Sequence, residues 1–345
     1  MLHKIEQIIK RQTGLKRVFL CGSGTIGFLR IIESLNLQPN DEILIPDFIC
    51  EIVVIPLLLK KIRFKVVDIE KDEVLPSLTE YQENYNTNTK AILLAYIWGY
   101  VHKDLDKIIE WARKKDLIII EDVASAYGLE YNGRKLGTLG DYCFGSFGKG
   151  KIVNFGSYGF YSLPASVSLA PHKTLLIREI LDYTSCIKKI RCIKNAYIRK
   201  FCFLFLVKLY PFYLNFNPDE NQLNFLYKKL SKFEKIINQR RKNTLNILDK
   251  LKHSSVLKIY IPNNDLQVAS RVSCFCPDYK VFQELQAKKC WIGKDFNYPI
   301  SKLLNLETPH NTGIIIGKIF NILTEPQNIT LSTSLNIICQ IGAKK

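Results

Sequence analysis

Leu117-Ile-Ile-Ile-Glu-Asp122, followed shortly by Ser146-Phe-Gly-Lys-Gly-Lys151, decides both the fold and the chemistry of this chain. The first stretch is an apolar run that ends in acid, the pattern of a buried strand reaching its mouth. The second is a small-residue loop carrying lysines. A carboxylate at a strand end and a loop amine suit an imine-forming aldehyde cofactor. In such a pairing the acid, Asp122, can hold a pyridine nitrogen protonated while the amine, Lys151, is available to form the imine.

Working outward, Glu42–Pro46, Phe64–Asp68 and Ala91–Tyr96 are further strand-like runs. Between them lie helical stretches such as Leu105 to Lys114, where Leu105, Ile108, Ile109 and Ala112 share a face. Strands alternating with helices predict an α/β fold with a mostly parallel sheet covered on both faces. Ligands sit at the carboxyl ends of such strands, where Asp122 falls. The pattern changes near residue 175. Thr184 to Phe216 is basic, aromatic and irregular, and Leu223 to Leu251 predicts one long helix with the stripe Leu223, Leu226, Leu230, Phe233, Ile237. From Val256, short strand-like runs (Arg271–Cys276, Gly313–Ile316) mix with a helix near Val281 to Lys289. The expected organisation is a large α/β domain over 1–175, a connecting segment over 176–222, and a long helix with a smaller α+β domain over 223–345.

The 345 residues are 47% apolar, enough for a large core. No apolar run reaches the roughly 20 residues of a membrane span, and Met1-Leu-His-Lys-Ile-Glu lacks a signal-peptide core, so a cytoplasmic protein is expected. The ten cysteines are scattered, with no set of zinc ligands, which predicts reduced, mostly buried thiols and no metal. The net charge of +17 is spread along the chain as a compositional bias rather than a nucleic-acid footprint. One patch stands out: Lys188-Lys-Ile-Arg191 and Arg199-Lys200 flank aromatics from Tyr197 to Tyr213. It is either a peripheral membrane element within 184–216 or the packed and solvated faces of two helices.

Cys21-Gly-Ser-Gly-Thr-Ile-Gly27 satisfies the dinucleotide-binding glycine pattern, and Asp47 lies where that fold places its ribose acid. The alternative is a single phosphate monoester, held by the free N–H groups of Gly24 and Thr25 at a helix start. A plain capped turn is the third option. Asp122 and Lys151 favour the phosphate monoester, because a phosphopyridine aldehyde needs phosphate, ring-nitrogen and imine contacts together.

Taken in order, the residues resemble the DegT/DnrJ/EryC1/StrS sugar aminotransferases, fold-type I enzymes that use pyridoxal 5'-phosphate (PLP). The resemblance runs through Ser23-Gly-Thr25, Asp41–Pro46, Val67-Asp-Ile69, Thr89–Ile92, Trp98-Gly99, Glu121–Gly128, Gly133–Asp141 and Ser146-Phe147 with Lys151. Beyond residue 160 it is clearest around Gln222 to Leu251, similar to a family helix that carries an arginine pair, here Arg240-Arg241. The resemblance implies that Lys151, not Lys149, is the Schiff-base lysine and the proton-moving base. It implies that Asp122 pairs with the pyridinium, that Gly24, Thr25 and Ser146 hold the phosphate, and that Ser125 stands where a glutamine usually lies near the ring hydroxyl. Cys50 replaces a stacking aromatic, Tyr96 a frequent histidine, and Gly156-Ser-Tyr-Gly159 an acidic turn.

The implied activity is transfer of an amino group from glutamate to a nucleotide-linked keto-sugar in glycan synthesis, by a homodimer whose basic surface draws in the nucleotide. Relatives with histidine in place of the lysine deoxygenate instead, and lysine here favours transamination. Two alternatives predict other behaviour: a degenerate homologue acting as a binding or regulatory protein, and an NAD(P)-dependent oxidoreductase using Gly22, Gly24 and Gly27.

Overall fold

A computed structural model describes residues 1–71, 73–169, 183–209 and 219–252, with shorter pieces at 258–259, 271–275, 292–293, 299–307, 309–315 and 319–323, and single residues at 254, 278 and 280. In chain order the elements are α1 (Leu2–Thr13), β1 (Phe19–Cys21), α2 (Gly24–Ser34), β2 (Glu42–Pro46), α3 (Val54–Leu59), β3 (Arg63–Val67), α4 (Leu78–Asn84), β4 (Thr89–Ala95), α5 (Leu105–Lys114) and β5 (Ile118–Asp122). The small hairpin β6 (Glu130–Tyr131) and β7 (Arg134–Lys135) follows, then β8 (Tyr142–Ser146) and β9 (Gly159–Ser162). Next come α6 (Tyr183–Arg191), α7 (Ala196–Leu209), α8 (Glu220–Leu230) and α9 (Phe233–Leu251). The last pieces are β10 (Lys258–Ile259), β11 (Arg271–Phe275), β12 (Ile292–Gly293), α10 (Ile300–Leu304), α11 (His310–Ile315) and β13 (Ile319–Leu323).

Seven strands form one sheet in the order β1-β9-β8-β5-β4-β2-β3. Its members from β3 to β8 pair in parallel, while β8 with β9 and β9 with β1 run antiparallel. Alternation along β4 explains why both faces are covered. Ala91, Leu93 and Ala95 pack with Phe28 and Ile55 on one side, and Ile92 and Leu94 with Ile5 and Ile108 on the other. The two-sided α/β sheet is thus the one expected. The pieces β10, β11, β13 and β12 form a separate four-stranded antiparallel sheet.

Several expectations need correction. Leu223–Leu251 is two helices, broken at Ser231-Lys232, where the Ser231 hydroxyl donates back to the Tyr227 carbonyl at 2.9 Å. The apolar stripe runs unbroken across this joint and is buried throughout, so its periodicity conceals the break. The Thr184–Phe216 stretch is mostly helical where it is described: α6 and α7 cover 183–191 and 196–209, joined by a short link at 192–195, and 210–216 lie outside the described residues, as does the helix expected over 281–289. Gly313–Ile315 is helical rather than a strand, because Asp68 accepts from the N–H groups of Asn311 (2.7 Å) and Thr312 (2.8 Å) and starts a helix there. Among the described cysteines only Cys21 and Cys143 are buried, while Cys192 is exposed on α6's C-terminal side.

Candidate active site

The carboxyl end of β5 delivers Asp122 to the sheet edge. Its backbone carbonyl accepts from Tyr96 N–H (3.1 Å), and its side chain from Ala124 N–H (2.8 Å). The neighbouring Glu121 faces the other way. It accepts from the N–H groups of Gly137, Leu139 and Gly140 (2.6–2.8 Å) and from the Tyr96 hydroxyl (2.7 Å), pinning that loop beneath the site. Strand alternation therefore assigns one acid to structure and its neighbour to the recess.

Lys151 enters from the loop after β8, and its Nζ donates to the Ser125 hydroxyl at 3.1 Å. Asp122, Ser125 and Lys151 line one recess with Ile49, Cys50, Tyr96, Ile97 and Ala124. Burial pushes the Asp122 carboxyl up and the Lys151 ammonium down, and each charge opposes the other's shift. Burial also pushes the Cys50 thiol up, keeping it neutral beside them. The recess is small, about 20 Å³, and the Lys151 Nζ–Ser125 Oγ bond crosses it.

The loop bearing Lys151 is held from outside. Arg240 of α9, fully buried, donates to the carbonyls of Lys151 (2.7 Å) and Ile152 (3.0 Å), and Lys229 of α8 donates to the Asn154 carbonyl. The Arg271 guanidinium lies beside Gly150, whose φ of +78° suits the tight turn before Lys151. The sequence signalled Arg240 through the family-like helix alone. Lys229 and Arg271 carried no signal, since each acts across a long stretch of chain.

The helix-start residues form the second part. Ser23 caps α2 by accepting from Ile26 N–H (3.2 Å), leaving the N–H groups of Gly24 and Thr25 outside the helical ladder. A Cβ on Gly24 would come within 3.1 Å of the Ser146 Cβ, so the helix start and the end of β8 are in close contact. Ser146 Oγ accepts from Gly148 N–H (3.1 Å). Gly24, Thr25 and Ser146 do not line the Asp122–Lys151 recess itself. The chain links the two, because Asp122 pairs with Phe144 across β5 and β8, two residues before Ser146.

This geometry removes the dinucleotide reading. The strand before the glycine loop is an antiparallel edge strand, and Asp47 is fully buried, accepting from the Ser301 N–H and hydroxyl (both 2.7 Å). It therefore faces a protein segment rather than a ribose.

Comparison with known proteins agrees. GDP-perosamine synthase of Caulobacter vibrioides is 28% identical over 156 residues, 45% of this chain and 42% of that protein. The matched region spans less than half the length of this and the other similar relatives. The crystal structure of DesV from S. venezuelae aligns over 99% of this chain and 88% of its own, with a TM-score of 0.77 at 16% identity. E. coli GDP-4-keto-6-deoxy-D-mannose-3-dehydratase, solved with bound hydrated PLP, aligns over 99% and 91%, with a TM-score of 0.74 at 17% identity. At such identities the structures establish a shared fold. The DegT/DnrJ/EryC1/StrS aminotransferase family pattern matches residues 2–289, and the chain belongs to that family.

Proposed function

We propose that this protein is a PLP-dependent aminotransferase that moves an amino group onto a nucleotide-linked keto-sugar. The observation that carries the reading is the convergence of a half-buried amine, Lys151, and a buried carboxylate, Asp122, on one recess at the carboxyl edge of the sheet. When bound, PLP supplies an aldehyde that an amine joins and a ring that accepts electron density. Asp122 is the counter-charge for a protonated ring nitrogen, which offsets the desolvation that otherwise favours its neutral acid. Gly24 and Thr25 offer N–H groups, and Ser146 a hydroxyl, to the phosphate. Ser125, which accepts from Lys151 Nζ at 3.1 Å, would offer its hydroxyl to the ring hydroxyl.

Lys151 acts twice. Its lowered pKa enlarges the fraction of neutral amine that attacks a carbonyl carbon. Afterwards its Nζ takes a proton from the substrate carbon bearing nitrogen and returns it two atoms away. Glutamate as amino donor and a homodimer complete the reading, as the family resemblance implies, and a cytoplasmic location is proposed with them. The sugar substrate is supported by similarity to GDP-perosamine synthase and to a UDP-N-acetyl-3-dehydro-alpha-D-glucosamine 3-aminotransferase.

The test is a spectrum of the PLP-loaded protein before and after glutamate is added. The reading expects a visible band that disappears with glutamate and returns with a keto acid. A protein that takes up no PLP would instead be a degenerate homologue, and a band unmoved by glutamate would rule out that donor.

A further inference from the structure

Helix α7 is apolar on two faces, and the fold buries one of them. Phe203, Leu206 and Val207 pack into the core, and buried Arg199 donates to the carbonyls of Ile193 (2.9 Å) and Lys302 (3.1 Å). The opposite face is left to solvent: Tyr197 is 77% exposed, Phe201 71%, Phe205 57% and Ile198 54%. Tyr197, Phe201 and Phe205 follow at i, i+4 and i+8, a continuous stripe about 12 Å long. The helix start is fixed by Asn195, whose Oδ1 accepts from the N–H groups of Tyr197 and Ile198 (3.0 and 3.1 Å). A firmly anchored helix therefore presents a row of aromatic rings outward. The other large exposed apolar side chains on described helices, such as Phe225 and Leu245, stand singly.

Charge identifies what covers this face. From 183 to 209 the chain carries seven Lys or Arg residues and no Asp or Glu. Exposed Lys194 and Lys208 bracket the stripe, half-buried Lys200 lies along it, and exposed Lys189 projects from α6. A second copy docked by the same face would bring like charges together, within a chain that already carries +17. An anionic lipid surface satisfies both features, taking aromatic rings at the headgroup boundary and pairing lysines with phosphates. We propose that α7 docks the protein peripherally on a membrane bearing anionic lipids, with Tyr197, Phe201 and Phe205 inserted and Lys194, Lys200 and Lys208 against the headgroups. The inference stands independently of the cofactor chemistry.

Flotation of the full chain with phosphatidylcholine vesicles, with and without about 30% phosphatidylglycerol, tests it. The protein is expected to float with the anionic vesicles, to float poorly with the neutral ones, and to be released as salt rises. F201S/F205S lowers partitioning by about tenfold or more. K194E/K208E, which alters only exposed groups, weakens binding and its salt dependence, and both variants keep the native melting temperature. No flotation of the native chain overturns the proposal, as does equal flotation of F201S/F205S. If F201S/F205S instead loses a dimer in sedimentation velocity while native protein ignores vesicles, the face belongs to a second copy and the proposal is wrong.

Discussion

At the scale of the residue, the site depends on a division of labour between adjacent acids. Glu121 is spent on backbone N–H groups and the Tyr96 hydroxyl, whereas Asp122 keeps its carboxylate for the recess. Asp122→Asn keeps the shape and removes the charge. It should slow amino transfer by about 100-fold or more in a coupled assay while the fold stays intact; an unchanged rate would remove Asp122 from the mechanism. Arg240 makes the complementary case. Arg240→Met strands buried carbonyls of the lysine loop and should cost about 2–4 kcal/mol in urea unfolding. Arg240→Lys should recover part of that, and indistinguishable unfolding of Met and native proteins would show the clamp to be idle. That Asp122 and Lys151 could meet was legible from sequence because a strand end and a small-residue loop are local patterns, and the two line one recess. Arg240 and Lys229 were not, because their bonds to the loop join positions 75 to 89 residues apart.

At the scale of the element, local pattern succeeds where burial is two-sided and fails where a distant partner decides. β2 and β4 sit in continuous apolar runs and are found where expected. The break between α8 and α9 is invisible to periodicity, since Leu230, Phe233 and Ile237 keep helical spacing across it. Gly313–Ile315 carries strand-like residues, yet α11 forms because Asp68, over 240 residues earlier, caps it. Asp68→Ala should therefore destabilise the protein by about 1–2 kcal/mol. Hydrogen exchange should accelerate in 309–315 well before it does in β4 or β5. Uniform acceleration across the chain would contradict the capping account.

At the scale of the whole molecule, the carboxyl edge of the sheet is where distant segments meet. Asp47 after β2 holds Ser301, Asp68 after β3 holds Thr312, and Asp122 at the end of β5 faces Lys151. Burial pushes Asp47 up to about 6, so folding favours its protonated form. The stability it contributes is full below its ordinary pKa near 4 and is lost as pH rises through about 6. Asp47→Asn, which can still bond Ser301, should gain on the native protein by up to about 3 kcal/mol between pH 4 and pH 7. Parallel unfolding profiles would show that the Ser301 bonds hold Asp47 ionised throughout. The same edge gives the most direct test of the central claim, that Lys151 is the amine that takes the cofactor. Protein loaded with PLP, reduced with borohydride and digested should carry the cofactor's mass on the peptide at Lys151, with Lys149 unmodified. A label on Lys149, or a label that persists undiminished in Lys151→Ala, would contradict it.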